Sequence, residues 1–177
     1  MIVSSQWQHL CMIRGDAIMP GANNGADAFV RSADSVDSTE RLVWIESAHT
    51  QNIDLPGAQE IGTFALARDV GDGGAAASSF LYLVQTDIPD DIVDEYTQWY
   101  DVEHLPRLVS VPGILRARRY EAVNAQPRYL TAYDLSDVNA FESPQGLIAR
   151  KTPWTERMRS KFMNARRSTW RLTDSAQ

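Results

Sequence analysis

Cysteine is nearly absent from this 177-residue chain: Cys11 stands alone, so no internal disulfide forms and no thiolate cluster can hold zinc. A reduced, intracellular setting is the expectation. Histidine is almost as scarce, with His9, His49 and His104 scattered and no H-x-x-x-H metal pair. Basic excess is missing too. Seventeen Lys and Arg against 23 Asp and Glu leave a formal net charge of -6, which argues against a general nucleic-acid binder. No apolar run reaches membrane-spanning length, and "MIVSSQWQHL" has neither the basic start nor the apolar core of a secretion signal. These absences predict a cytoplasmic protein without a membrane or nucleic-acid partner. There is also no G-x-G-x-x-G fingerprint, P-loop or nucleophile elbow.

What is present is ordinary globular material, 44% apolar and 23% charged, in a chain long enough to bury a core. The clearest break is "GDGGAAASS" at 71–79, a joint of small residues that neither helix nor strand favours. It divides a weakly patterned first part, 1–70, from a strongly patterned second part, 80–177. In the second part "FLYLVQT" (80–86) reads as a strand and "IPDDIVDEYTQWYDVEH" as a helix with acids in its first turns. Pro106 disfavours helix at Leu105, so that helix is expected to end near His104. "VPG" (111–113) reads as a turn, and "ILRARRYEAV" (114–123) and "YLTAYDL" (129–135) read as strands joined by "NAQPR". Ser143-Pro144 and Thr152-Pro153 each read as an N-cap followed by proline at the first helical position. "ARRSTWRL" reads as the last strand. The order β-α-β-β-α-β is that of a ferredoxin-like unit: an α+β fold with helices on one face of an antiparallel sheet. The bare face needs a cover, supplied by a second chain in a homodimer or by a tandem repeat. The first part supplies a worn match: "WQHL", "PG", "AFVRSA", "RLVWIES" and "IGTFALARDV" follow the order of "EHLP", "VPG", "ARRYEA", "RYLTAYDLS" and "MNARRSTWRL". On that alignment the first copy lacks its opening strand and most of its first helix. Read otherwise, 1–70 is an unrelated extension.

"EYTQWYDVEHLPRLVSVPGILRARRYEAV", then "PRYLTAYDL" and "TPWTERM", resembles the EthD-like proteins of the dimeric α+β-barrel superfamily, over roughly residues 80–172. The resemblance rests on W-Y-x-x-x-H-L-P followed by P-G and a strand. It implies sheets paired face to face into a barrel, with a pocket between sheet and helices. It also implies a cofactor-independent small-molecule enzyme of lyase, cyclase, dehydratase or isomerase type, acting on an aromatic or polyketide-like substrate. A cofactor-free monooxygenase and a non-catalytic binding or structural barrel are the alternatives. Since only His9 in the first half can match His104, without "WY" before it, one site per chain is expected.

His104 is the candidate acid/base, since imidazole exchanges protons near neutrality. Its expected place at a helix C-terminus would favour the cation, with Asp101 or Glu103 to orient the ring. The structural alternative is a cap on that helix end. Tyr100 is the second catalytic candidate, as a hydrogen-bond donor to a carbonyl or enolate. Tyr96 and Trp99 share the helix as substrate-binding candidates; all three aromatics also read as core. Strand alternation puts Ile114, Arg116, Arg118 and Tyr120 on one face, and Tyr129, Thr131 and Tyr133 opposite the helix-facing Leu130 and Ala132. Arg116, Arg118, Tyr120 and Tyr133 then form a wall for an aromatic anion, or an inter-repeat contact. The arginines of "RMRSKFMNARRSTWR" read as a solvated face.

Overall fold

The computed structural model describes residues 8–15, 28–49, 58–71 and 77–173. Pro20-Gly21 and most of the small-residue joint lie outside them. Eight strands form one closed antiparallel barrel: β1 (His9–Gly15), β2 (Ala28–Ser35), β3 (Arg41–Ser47), β4 (Glu60–Gly71), β5 (Phe80–Asp87), β6 (Ile114–Ala122), β7 (Tyr129–Leu135) and β8 (Met163–Thr173). Among the described residues four short α-helices follow β5 and β7: α1 (Val93–Trp99), α2 (Leu105–Val109), α3 (Pro144–Ala149) and α4 (Pro153–Arg159). The strands run β1-β3-β2-β8-β5-β7-β6-β4 around the barrel. Within each half the order is the same: fourth, first, third, second. The β2–β8 and β4–β6 ladders sew the halves together.

Of the two routes to a barrel, the chain uses its own first half. The opening strand expected to be missing is β1, which pairs with both β3 and β4. His9 therefore begins a strand and has no helical counterpart role to His104. Period-two alternation explains how one strand serves two layers. Leu10 and Met12 enter the barrel, while Cys11 and Ile13 join Val43 and Ile45 outside it. All eight strands contribute to the interior cluster, which includes Trp44, Phe64, Leu83, Tyr120, Leu130 and Trp170. Burying each such side chain contributes about 1.5–3 kcal/mol.

The second layer packs α1–α4 on the outer face of β5–β8, around Tyr96, Trp99, Tyr100, Leu108, Tyr133 and Met158. Both proline-led helices are capped as the sequence predicts. Gly146 N–H donates to Ser143 Oγ at 3.0 Å and Thr155 N–H to Thr152 Oγ1 at 2.9 Å. The "VPG" turn places Gly113 at φ +93, where a side chain is strained.

The main departure lies at Pro106. The helix does not end at His104: residues Tyr100–His104 form a π-helical turn, and α2 carries on to Val109. Leu105 N–H donates to Tyr100 O, five residues back. The wider turn carries the helix past a proline that has no N–H and would crowd a regular α-helical carbonyl.

Candidate functional site

The π turn sets the site. In an α-helix, residues five apart point about 140° away from each other. Here Trp99 and His104 stack instead, with centroids 4.2 Å apart at 27°. Tyr100 meets the imidazole edge-on at 5.3 Å, and Tyr96 lies 4.8 Å from Tyr100. His104 keeps only 4% of its surface exposed, and its Nδ1 has no hydrogen-bond partner. Burial, seconded by the charge of Arg159, lowers its pKa to about 3. The imidazole is thus neutral, not the cation expected at a helix end.

Neither neighbouring carboxylate orients the ring. Glu103 accepts from Thr152 Oγ1 at 2.6 Å, and Asp101 faces Arg119 and Arg68 at 3.8 and 3.9 Å. Thr131 Oγ1 donates to the Tyr100 hydroxyl at 3.0 Å. Burial raises the Tyr100 pKa, so the phenol stays protonated and remains a neutral donor. Trp99 Nε1 donates to Thr155 Oγ1 at 3.3 Å, which fixes the plane on which His104 lies.

Trp99, Tyr100 and His104 line a cavity of about 40 Å³ between the helices and β5–β8. Its wall is Trp99, Tyr100, His104, Tyr133, Phe141 and Phe162, and Arg150, Arg159 and Arg167 also line it. A cavity of about 160 Å³ adjoins it, sharing Tyr82, Phe141 and Arg150. Tyr96 backs Tyr100 but does not line the pocket.

The proposed arginine wall divides. Ile114 joins the helix-facing core because the ladder slips between Ile114 and Arg116, which reverses its parity relative to Arg118. Tyr129 and Tyr133 also face the helices, whereas Leu130 and Ala132 point into the barrel, the reverse of the alternation assigned from sequence. Arg116 donates to Asp69 at 2.9 and 2.6 Å, away from the cavity. Arg118 and Tyr120 are inside the barrel. There Arg118 pairs with both Glu46 and Asp134, and Arg31 pairs with Asp134 and lies 3.9 Å from Glu46. Tyr120 donates to Glu46 at 2.8 Å, and both guanidinium groups lie over Trp44, at 5.8 and 5.3 Å. Burial works to raise the Glu46 pKa, but Arg118, Arg31 and Arg116 overcome it and hold it near 2. Arg31 Nε, Arg118 Nε and Trp44 Nε1 find no partner.

Of the sequence candidates, His104, Tyr100, Trp99 and Tyr133 therefore meet at one cavity, while Arg116, Arg118 and Tyr120 do not reach it. Arg150, Arg159 and Arg167 were missed as pocket residues. Two of them, Arg159 and Arg167, belong to the stretch read as a solvated face and are exposed as that reading expects, while also bordering the cavity. Cys11 is buried and its thiol is pushed up to about 11 by desolvation, which makes it unreactive. Among the described residues no group of His, Cys, Asp or Glu is placed to hold a metal ion, and no helix is long and apolar enough to cross a membrane.

No family model matches the chain, and a search of curated proteins finds no match. Solved structures do match. A monooxygenase-like protein from Listeria innocua aligns at TM-score 0.67 and 12% identity, covering 97% of each chain. An anthrone oxidase-like protein aligns at 0.62 and 11%, covering 98% of this chain and 94% of its own. A heme-degrading enzyme from Listeria monocytogenes aligns at 0.61 and 9%, covering 93% and 99%. At these identities the likeness is one of fold: a ferredoxin-like α+β barrel.

Proposed function

We propose that the cavity over β5–β8 is a small-molecule site in which the His104 ring exchanges a proton with the substrate and Tyr100 donates to the developing oxyanion. Of the reactions open to such a pair, the geometry fits proton abstraction beside a carbonyl, in a lyase or isomerase of EthD-like type. The observation that carries this is an imidazole buried in an aromatic pocket with an unpartnered nitrogen, beside a protonated phenol. A buried polar atom without a partner is costly unless a ligand uses it. In the step proposed, the C–H proton passes to the imidazole and its electron pair moves to the carbonyl oxygen. The Tyr100 hydroxyl donates to that oxygen. Imidazole with a pKa near 3 is a weak base in the empty pocket; burial is the larger cause of that depression, and an anion beside Arg159 offsets the smaller one.

The cavity of about 40 Å³ is far smaller than a porphyrin and is walled by packed rings, so the haem chemistry named for one neighbour is not carried over. A cofactor-free monooxygenase remains the second reading, favoured by the neighbours' names. It would begin with the same proton transfer, from a quinol-like O–H, before reaction with molecular oxygen. Equal strand orders in the two halves support reading 1–70 and 80–177 as tandem ferredoxin-like units. So does the quartet inside the barrel: Arg31 lies two residues beyond the partner of Glu46, as Arg118 lies two beyond the partner of Asp134.

The test is solvent deuterium exchange at the methyl group of 4-acetylbenzoate, followed by proton NMR. Exchange catalysed by the wild type is expected to fall about 10²-fold or more in His104→Gln, and less in Tyr100→Phe. Unchanged exchange in His104→Gln removes the acid/base role. Oxygen uptake with quinols, in place of exchange, selects the second reading.

A further inference from the structure

The geometry points to a small aromatic carboxylate as the substrate class, with its acid group held by Arg159 and Arg167 and its ring against Tyr82 and Phe141. This rests on the reading of the His104 cavity as the substrate site. Three guanidinium groups from three elements converge there: Arg150 just after α3, Arg159 at the end of α4, and Arg167 on β8 opposite Val84. Arg150 is paired with Glu142 at 2.9 Å. Among the described residues no carboxylate lies within 4 Å of Arg159 or Arg167, although most other arginines of the chain have such a partner. Both are exposed, and Arg107 and Arg171 likewise lack such a partner; what sets Arg159 and Arg167 apart is that they stand together at the rim of an aromatic cavity.

The charge of Arg159 is also unwelcome where it stands. Arg159 is exposed, yet partial desolvation and the like charges of Arg150 and Arg167 work against its cation. A bound carboxylate would relieve that repulsion and accept charge-assisted hydrogen bonds, bidentate from a guanidinium fork. The apolar side of the site is equally specific. Tyr82 and Phe141 lie 5.0 Å apart and Phe141 meets Tyr133 at 5.2 Å, a surface suited to the face and edge of one ring. The inner cavity of about 40 Å³ takes only a small group, such as a carbonyl, next to His104 and Tyr100. The adjoining space of about 160 Å³ takes the ring. Size, aromatic surface and charge together describe a single-ring acid bearing a carbonyl substituent.

The experiment is isothermal titration of 4-acetylbenzoate and of its neutral amide, 4-acetylbenzamide, into the wild type, Arg159→Gln, Arg167→Gln and the double variant. The acid is expected to bind the wild type about tenfold more tightly than the amide, with a preference that weakens as salt is added. The double variant should bind the two alike, while Arg157→Gln, whose side chain pairs with Glu95 outside the cavity, keeps the preference. Equal binding of acid and amide by the wild type overturns the proposal. So does a preference that survives in the double variant, or failure of either compound to bind. Deuterium exchange separates this from the acid/base reading. Exchange lost in no His104 variant, with the arginine-dependent preference intact, removes the acid/base role and leaves an anion-binding pocket. Exchange that depends on His104 but is indifferent to both arginines and to the carboxylate removes the anionic substrate alone.

Discussion

Two buried polar clusters lie on opposite sides of the same sheet, and they are built to opposite rules. Inside the barrel, Arg31, Arg118, Glu46 and Asp134 form a neutral quartet in which each charge faces an opposite one. Outside it, under the helices, His104 Nδ1 has no partner, and Arg159 and Arg167 line the same cavity without a carboxylate within 4 Å among the described residues. Both clusters are rich in aromatic rings; the quartet and His104 are buried, whereas Arg159 and Arg167 are exposed. The difference is in how charge is balanced. The quartet is neutral as a whole, although Arg31 Nε, Arg118 Nε and Glu46 Oε2 keep no hydrogen-bond partner, whereas no described carboxylate balances Arg159 or Arg167 beside His104. The charge-balanced cluster joins β2 and β3 of one half to β6 and β7 of the other. The unbalanced one borders the cavity to which the proposed function is assigned.

The harshest way to break this comparison is to remove one member of the quartet. Arg118→Met leaves Glu46 and Asp134 buried with reduced compensation, and should cost about 3–5 kcal/mol in urea unfolding. Replacing all four charged residues by apolar ones of similar volume should restore most of that loss. A single variant as stable as the wild type would mean that the quartet is not what holds the halves.

The pocket side is probed more gently by pH. The His104 pKa is lowered from the ordinary 6.5 to about 3, so the folded state disfavours the proton that the unfolded chain accepts. Its contribution to stability is fully present above pH 6.5 and is lost as pH falls from there toward 3, at about 1.4 kcal/mol per pH unit at most. Glu46, lowered from 4.5 to about 2, contributes above its ordinary value and begins to lose its share only below about pH 4.5. Urea midpoints between pH 7 and 5 therefore isolate the histidine. The wild type should weaken across that window and His104→Gln should be flatter; parallel curves would place His104 in water, not in a sealed pocket.

The smallest effect sharpens the contrast between buried and exposed pairs. Arg128 and Glu121 are 2.7 Å apart, yet each side chain is 44% exposed. Arg128→Ala should change the unfolding free energy, measured in urea, by less than about 1 kcal/mol. A loss as large as that of Arg118→Met would show that ion-pair geometry, and not burial, governs these energies.

Much of the second half was legible because its signals are local. Proline after serine or threonine, the apolar runs of β5 and β7, and Gly113 after Pro112 each act within a few residues. The aromatic side of the site was legible for the same reason: Tyr100 and His104 lie on one stretch of helix. The first half was harder to read. Its opening strand, "HLCMIRG", alternates between two apolar layers and so shows none of the polar spacing of a half-exposed strand. The helix through Pro106 was misjudged because proline normally ends a helix, and only the π turn evades that rule.

By itself the sequence determined the ferredoxin-like order of elements, the caps that start α3 and α4, and the aromatic segment that carries His104. Periodicity and capping are properties of neighbours along the chain. Tertiary structure alone decided which arginines are structural and which line the pocket. Arg118 meets Glu46 across 72 residues and Arg31 meets Asp134 across 103, separations that no local pattern encodes. Tertiary structure also decided which way each strand turns its faces, because a one-residue slip in a ladder reverses the alternation beyond it.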